Sequence, residues 1–219
     1  MTETDRMVAL MRRLKIEMNG AVTDAMREYG GGQRGYGLNY GVSLPTIREI
    51  AQAYAPDHAL ALLLWRQDVR ELKLAALFVD DPAAVTARQM EDWASTWRAA
   101  ELAEQCAMQH FWRSPEAWAP ATQWARSKGN DERKFKRSAS FYMLGRLAAD
   151  RDTVNDAAWA TLLDDTQVFD TETTERSAVY ALREIYRHRP QLRESISACL
   201  RRVPREVADE VRWQIEYLP

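Results

Sequence analysis

Residues 137–144 read RSASFYML, and residues 176–182 read RSAVYAL. The two stretches begin 39 positions apart, within the range of paired-helix solenoid repeats of roughly 40 residues. RELKLAAL, from Arg70, is a weaker relative of both. A helix pair of this size cannot bury its apolar face alone. Stacked neighbours bury it as one continuous core and leave a concave surface. The repeat therefore predicts a helical solenoid.

The rest of the chain carries the same period. Met7, Leu10, Met11, Leu14 and Met18 mark one buried helix face at the N-terminus. Similar patterns recur at 46–54, 57–67, 69–79, 88–97, 99–112, 115–127, 132–149, 155–163, 173–188, 190–202 and 204–216. Pro45, Pro82, Pro115, Pro190 and Pro204 fall where helices should begin, the position at which proline is tolerated. No alternating, β-branched run is long enough for a strand. The expected fold is all-α, a HEAT-like repeat solenoid of about a dozen helices in a single domain over 1–219. It divides into an N-terminal helix over 1–28, a Gly-rich connector over 29–43 and the repeats over 44–219.

The connector, EYGGGQRGYGLNYGVS at 28–43, holds six of the nine glycines. Gly30, Gly32 and Gly35 form a G-x-G-x-x-G. A dinucleotide site needs a strand before that pattern and a helix opening at it. Here a helix precedes and loop follows, so the expected role is a mobile connector, with Tyr29, Tyr36 and Tyr40 in reach of a ligand.

A net charge of −2 leaves any polyanion partner to a local patch. Basic residues gather in RSKGNDERKFKR, 126–137, with six against two acids, and between Arg183 and Arg205, with seven arginines against two glutamates. Such patches suit phosphates and give salt-dependent affinity. Charge-rich helix faces are also commonly just solvated. No apolar window of about 18 residues exists to span a membrane, and the N-terminus lacks the apolar block of a signal peptide. A cytoplasmic protein is expected, with Cys106 and Cys199 as buried reduced thiols. Near-neutral charge makes a monomer the default.

His58, His110 and His188 are scattered, so no metal is expected, and nothing calls for a cofactor. Neither cysteine has an adjacent activating base. The remaining candidate is WASTWRAAELAEQC, 93–106, in which Trp93, Trp97, Glu101 and Glu104 fall within three helical turns. A carboxylate beside aromatic rings suits a cationic ligand such as an alkylated purine. On spacing alone the favoured reading is two core tryptophans, Trp93 and Trp97, beside a surface Arg98–Glu101 pair.

Taken in order, several segments resemble the DNA alkylation repair proteins of HEAT-like fold, the AlkD-type alkylpurine DNA glycosylases. They are YGVSLPTIREIA (40–51), VRELKLAAL (69–77), MEDWASTWRAAE (90–101), NDERKFKRSASFYML (130–144) and ERSAVYALREIYRHRP (175–190). The resemblance implies a C-shaped solenoid that holds duplex DNA against a basic concave face. It also implies excision of cationic alkylpurines by hydrolysis of the N-glycosidic bond. Carried over by position, Trp97 takes the place of the family's motif tryptophan and Tyr180 that of a second active-site tryptophan. Arg137 and Arg183 fall on arginines near DNA, with Lys134 and Lys136 beside them.

The Trp-Asp-x-x-Asp motif is altered here. Its first aspartate is Arg98, and the second, the catalytic one, is Glu101. The added methylene moves the carboxylate by about one C–C bond, a displacement that can cost roughly 100-fold in rate. Three readings follow. One is a glycosylase in which Glu101 stabilises an oxocarbenium-like transition state. The second is a non-catalytic binder of damaged or branched DNA. The third is a solenoid that binds a protein partner.

Overall fold

The computed structural model describes residues 2–29, 36–128, 131–150, 154–173 and 175–218, with the backbone alone at 27–29 and 131–134. Thirteen α-helices lie among them: α1 (Glu3–Ile16), α2 (Gly20–Tyr29), α3 (Leu44–Gln52), α4 (His58–Trp65), α5 (Arg70–Val79), α6 (Ala87–Ala94), α7 (Ala100–Gln105), α8 (Trp118–Ala125), α9 (Asp131–Ala148), α10 (Asp156–Asp164), α11 (Arg176–His188), α12 (Arg193–Cys199) and α13 (Arg205–Ile215). No strand occurs among the described residues, only one isolated bridge, Leu38 to Val69.

Local chemistry starts the helices where the sequence marks them. Ser43, Asp57, Thr86 and Asn155 cap α3, α4, α6 and α10, each side chain accepting from the backbone N–H three residues on. Pro45 stands in the first turn of α3, Pro82 and Pro190 open short 3-10 turns, and Pro204 is the N-cap of α13.

Two rows of helices result. The odd row runs α3, α5, α7, α9, α11, α13, each packed on the next. The even row runs α4, α6, α8, α10, α12; α6 meets α8 and α10 meets α12. Aromatic pairs complete it, with Trp65 of α4 stacked on Trp93 of α6 at 4.0 Å and Trp118 of α8 against Trp159 of α10 at 4.8 Å. One apolar core runs between the rows from Leu10 to Val211.

The repeat seen in the sequence is a contact in space. Ser138 of α9 and Ser177 of α11, equivalent positions in the two copies, have their hydroxyls 3.1 Å apart. The stretch over 1–28, expected as one helix, is two, with residues 17–19 between α1 and α2. The expected helix over 99–112 also breaks: α7 passes into a π-turn at Cys106–His110 and a 3-10 turn at Phe111–Arg113. No described helix is long and apolar enough to cross a membrane.

Gly30, Gly32 and Gly35 lie outside the described residues. The later part of the connector is pinned rather than loose. Leu38 exchanges backbone hydrogen bonds with Asp68 and Arg70. Gly41 has φ +71°, and a Cβ there would stand 2.3 Å from the Asn19 carbonyl oxygen. Only glycine meets both demands.

Candidate functional site

Glu101 stands in the first turn of α7, half-buried, with both carboxylate oxygens engaged. The Arg70 guanidinium reaches across from α5 in a two-point contact, Nε to Oε2 at 2.8 Å and Nη2 to Oε1 at 2.5 Å. The Tyr36 hydroxyl donates to Oε2 at 2.9 Å. Such fork-to-fork pairs fix geometry as well as charge. Arg70 is itself buried and donates to the Val42 carbonyl at 2.9 Å and to Glu71 at 3.0 Å. Glu71, fully buried, accepts from the backbone N–H groups of Tyr40 and Val42. The chain Tyr36–Glu101–Arg70–Glu71 therefore ties α7 to α5 and both to the connector.

Its electrostatics follow. Burial pushes the Glu101 carboxyl up, but the Arg70 hydrogen bonds and charge, with the Tyr36 hydroxyl, hold it below the usual carboxylate range. Burial and the Glu101 charge push the Tyr36 hydroxyl well up. Glu101 is thus a carboxylate whose charge is already neutralised by a guanidinium.

One turn on, Glu104 is exposed. Partial burial and Glu101 raise its pKa. Among the described residues it makes no ion pair. Across from it on α9 stands Tyr142, whose pKa is raised by burial and by Glu104. Tyr142 packs against Tyr180 of α11 at 5.7 Å between ring centroids. Arg183 lies over Tyr180 at 5.2 Å, and Arg146 lies over Trp112 at 4.4 Å. Burial and Glu184 push the Tyr180 hydroxyl up, with Arg146 and Arg183 opposing. The odd row thus presents a patch of half-buried aromatic rings and guanidinium groups beside two glutamates.

The residues singled out in the sequence do not all meet there. Trp97 is 4% exposed and sits in the core, against Phe111 at 6.2 Å and edge-on to Trp124 at 5.7 Å. Arg137 is also 4% exposed. It donates to the Val168 carbonyl and to Thr173 Oγ1 and pairs with Glu175, clamping the loop before α11. Lys136 pairs with Glu91 of α6 and lies over Trp124 at 5.9 Å. The Lys134 side chain lies outside the described residues. Tyr180 and Arg183 are at the patch, Arg183 also bonded to Glu184 and Gln214. Cys106 and Cys199 are free and buried, and burial pushes the Cys199 thiol up to about 12.

Sequence reasoning missed Arg70, Tyr142 and Arg146, and named Tyr36 only as a connector tyrosine in reach of a ligand. A signal for the first was present: Arg70 and Glu71 open a helix in which nearly every residue is buried. Charge within an otherwise apolar run marks a paired network.

A sequence model of the family described as "DNA alkylation repair enzyme" matches residues 10–201. No curated protein matches the chain. Among solved structures, a similar one is described as "A new family of proteins related to the HEAT-like repeat DNA glycosylases with affinity for branched DNA structures". The identity is 14%, the match covers 95% of this chain and 93% of the other, and the TM-score is 0.74. At that identity the likeness fixes the fold, a HEAT-like helical repeat.

Proposed function

This chain belongs to the DNA alkylation repair enzyme family, and on that premise we propose that it binds DNA on the odd row without excising bases. One observation carries the reading. Both oxygens of Glu101 are held by Arg70 and one also by Tyr36. A carboxylate stabilises developing positive charge on a sugar through its own unbalanced charge, aimed at the reacting atom. Here that charge is directed into the protein and balanced there. The tyrosines and guanidinium groups beside it keep the features that hold nucleic acid: π faces for sugars or unstacked bases and cations for phosphates. The structural relative described by its affinity for branched DNA makes junctions the first substrate to try.

A second reading rests on Glu104. It is exposed, lacks a pairing cation among the described residues and faces Tyr142. In that reading the excision carboxylate has moved one turn along α7.

The test is DNA binding to a four-way junction and to a linear duplex at two salt concentrations, beside single-turnover base release from duplex containing N7-methylguanine. Salt-sensitive binding with no base release supports the binder. Release that survives Glu101→Gln and collapses in Glu104→Gln establishes the second reading. Release that collapses in Glu101→Gln returns Glu101 to catalysis. Absence of both binding and release overturns the DNA reading.

A further inference from the structure

The two ends of the helix stack carry opposite chemistry. α13, the last helix, packs on α11 and buries Val207, Ala208 and Val211. Glu206, Glu210, Trp213 and Tyr217 follow at three- and four-residue spacing on the side away from those residues, and all four are exposed. Trp213 is 64% exposed and Tyr217 81%. Among the described residues no other aromatic side chain is exposed. We propose that this face of α13 docks α1 of a second copy of the chain, joining molecules head to tail. The proposal does not rest on DNA binding by the odd row.

The terminal unit of a solenoid ordinarily presents a polar outer face, since no further repeat stacks on it. α13 departs from that rule. An indole and a phenol ring held in water leave apolar area that another helix would cover. The charge of the face is acidic. Arg205 and Arg212 pair with Asp209 to one side of it. Glu206 has no ion-pair partner among the described residues, and Glu210 meets only the Gln214 amide. Two rings flanked by two carboxylates suit a partner that brings guanidinium groups and an aliphatic side chain. The same face cannot pair well with itself, because that would set four glutamates together.

α1, at the other end of the stack, brings those groups. It packs on α3 and α4 and buries Leu10 and Leu14. Arg12, Arg13 and Ile16 turn away from that core and are exposed, Ile16 by 75%. Neither arginine has an ion-pair partner among the described residues. A guanidinium over an aromatic face gains about 0.5–1 kcal/mol at an exposed site, and the carboxylates beside the rings add complementary charge. A second copy seated there continues the helix-on-helix stacking of the chain itself. The two surfaces differ, so a contact at one end leaves the other end open, and association runs on into chains rather than stopping at a symmetric pair. Contact between two helix faces falls at the low end of interface sizes, below about 1,200 Å². The association is therefore weak, with a dissociation constant above about 1 μM.

The test is sedimentation velocity of the full chain, without DNA, from about 5 to about 500 μM, a range that brackets a weak contact, at low and high salt. The expected result is a sedimentation coefficient that rises with concentration, and rises less at high salt. Trp213→Ala/Tyr217→Ala should weaken the association at least tenfold, as should Arg12→Glu/Arg13→Glu and, separately, Glu206→Lys/Glu210→Lys. All six positions are exposed, so thermal unfolding should stay unchanged and shows that each variant is folded. Mixing the two charge-reversed proteins should restore association, because each then opposes an acidic end with a basic one. A protein that stays monomeric throughout the range overturns the proposal. Association that persists in Arg12→Glu/Arg13→Glu alone overturns it in favour of α13 pairing with itself, and a mixture that fails to associate overturns the head-to-tail arrangement.

Discussion

A Cβ placed on Gly145 of α9 would stand 2.3 Å from Cε1 of Tyr180 on α11 and 2.6 Å from Cδ1. The absence of a side chain there lets the Tyr180 ring lie flat against α9, next to Tyr142. Mid-helix, Gly→Ala ordinarily stabilises by about 1 kcal/mol. Here overpacking costs about 1–3 kcal/mol against rigid ring carbons. Gly145→Ala should therefore destabilise the protein while Tyr180 is present. It should stabilise it by about 1 kcal/mol in a Tyr180→Ala background. Denaturant unfolding of the four proteins measures this, and the same sign in both backgrounds would refute the contact.

Arg70 balances two carboxylates, Glu71 and Glu101, from a buried position. Removing one partner of a buried pair leaves the other charge uncompensated, at about 3–5 kcal/mol. Arg70→Met should fall in that range, since Glu71 is fully buried and keeps only its backbone donors. Glu101→Gln should cost less, because the amide oxygen still accepts from the guanidinium. Urea unfolding separates the two, and a loss below about 1 kcal/mol for Arg70→Met would mean that the network is not holding α5 to α7.

The same pair sets a pH dependence. The Glu101 carboxyl is depressed in the folded protein, against burial, by Arg70 and Tyr36. A group whose folded pKa lies below its unfolded one stabilises fully above the unfolded value and loses that stabilisation as pH falls through the folded one. Wild type should therefore exceed Glu101→Gln in stability by a constant amount near neutral pH. The gap should close on acidification below the usual carboxylate pKa. A gap that widens towards acid pH would reverse the sign of the shift.

The helices were legible because burial writes a helical period into the sequence, and the repeat because equivalent residues meet: the Ser138–Ser177 contact spans the 39-residue offset itself. The π-turn at Cys106–His110 was not, since one extra residue in a turn leaves the apolar pattern on both sides intact. Trp93 and Trp97 share a helical face whether that face meets core or ligand, and only the positions of Trp65, Phe111 and Trp124 decide for core. Tyr36 could not be placed beside Glu101, because the connector takes its course from Leu38 bonding to the start of α5. Arg137 read as one more cation in a basic run; its partners, Val168, Thr173 and Glu175, are supplied by a loop some thirty residues on.

That last difference separates two arginines that looked alike. Arg137 is a clamp, buried and bonded to the loop before α11. Arg137→Ala should cost about 3 kcal/mol and leave DNA affinity per folded molecule unchanged. Arg183 is one-third exposed, beside Tyr180, and paired with Glu184. Partly exposed pairs contribute about 0–1 kcal/mol, so Arg183→Ala should barely move the unfolding midpoint. If the odd row holds DNA, losing one phosphate contact there should lower the slope of log affinity against log salt by about 1. Thermal unfolding and anisotropy titrations at several salt concentrations report both quantities for each variant. The reverse pattern, with Arg137→Ala flattening the salt slope and Arg183→Ala unfolding the protein, would move the DNA off the Tyr142–Tyr180 patch and onto the loop that Arg137 secures.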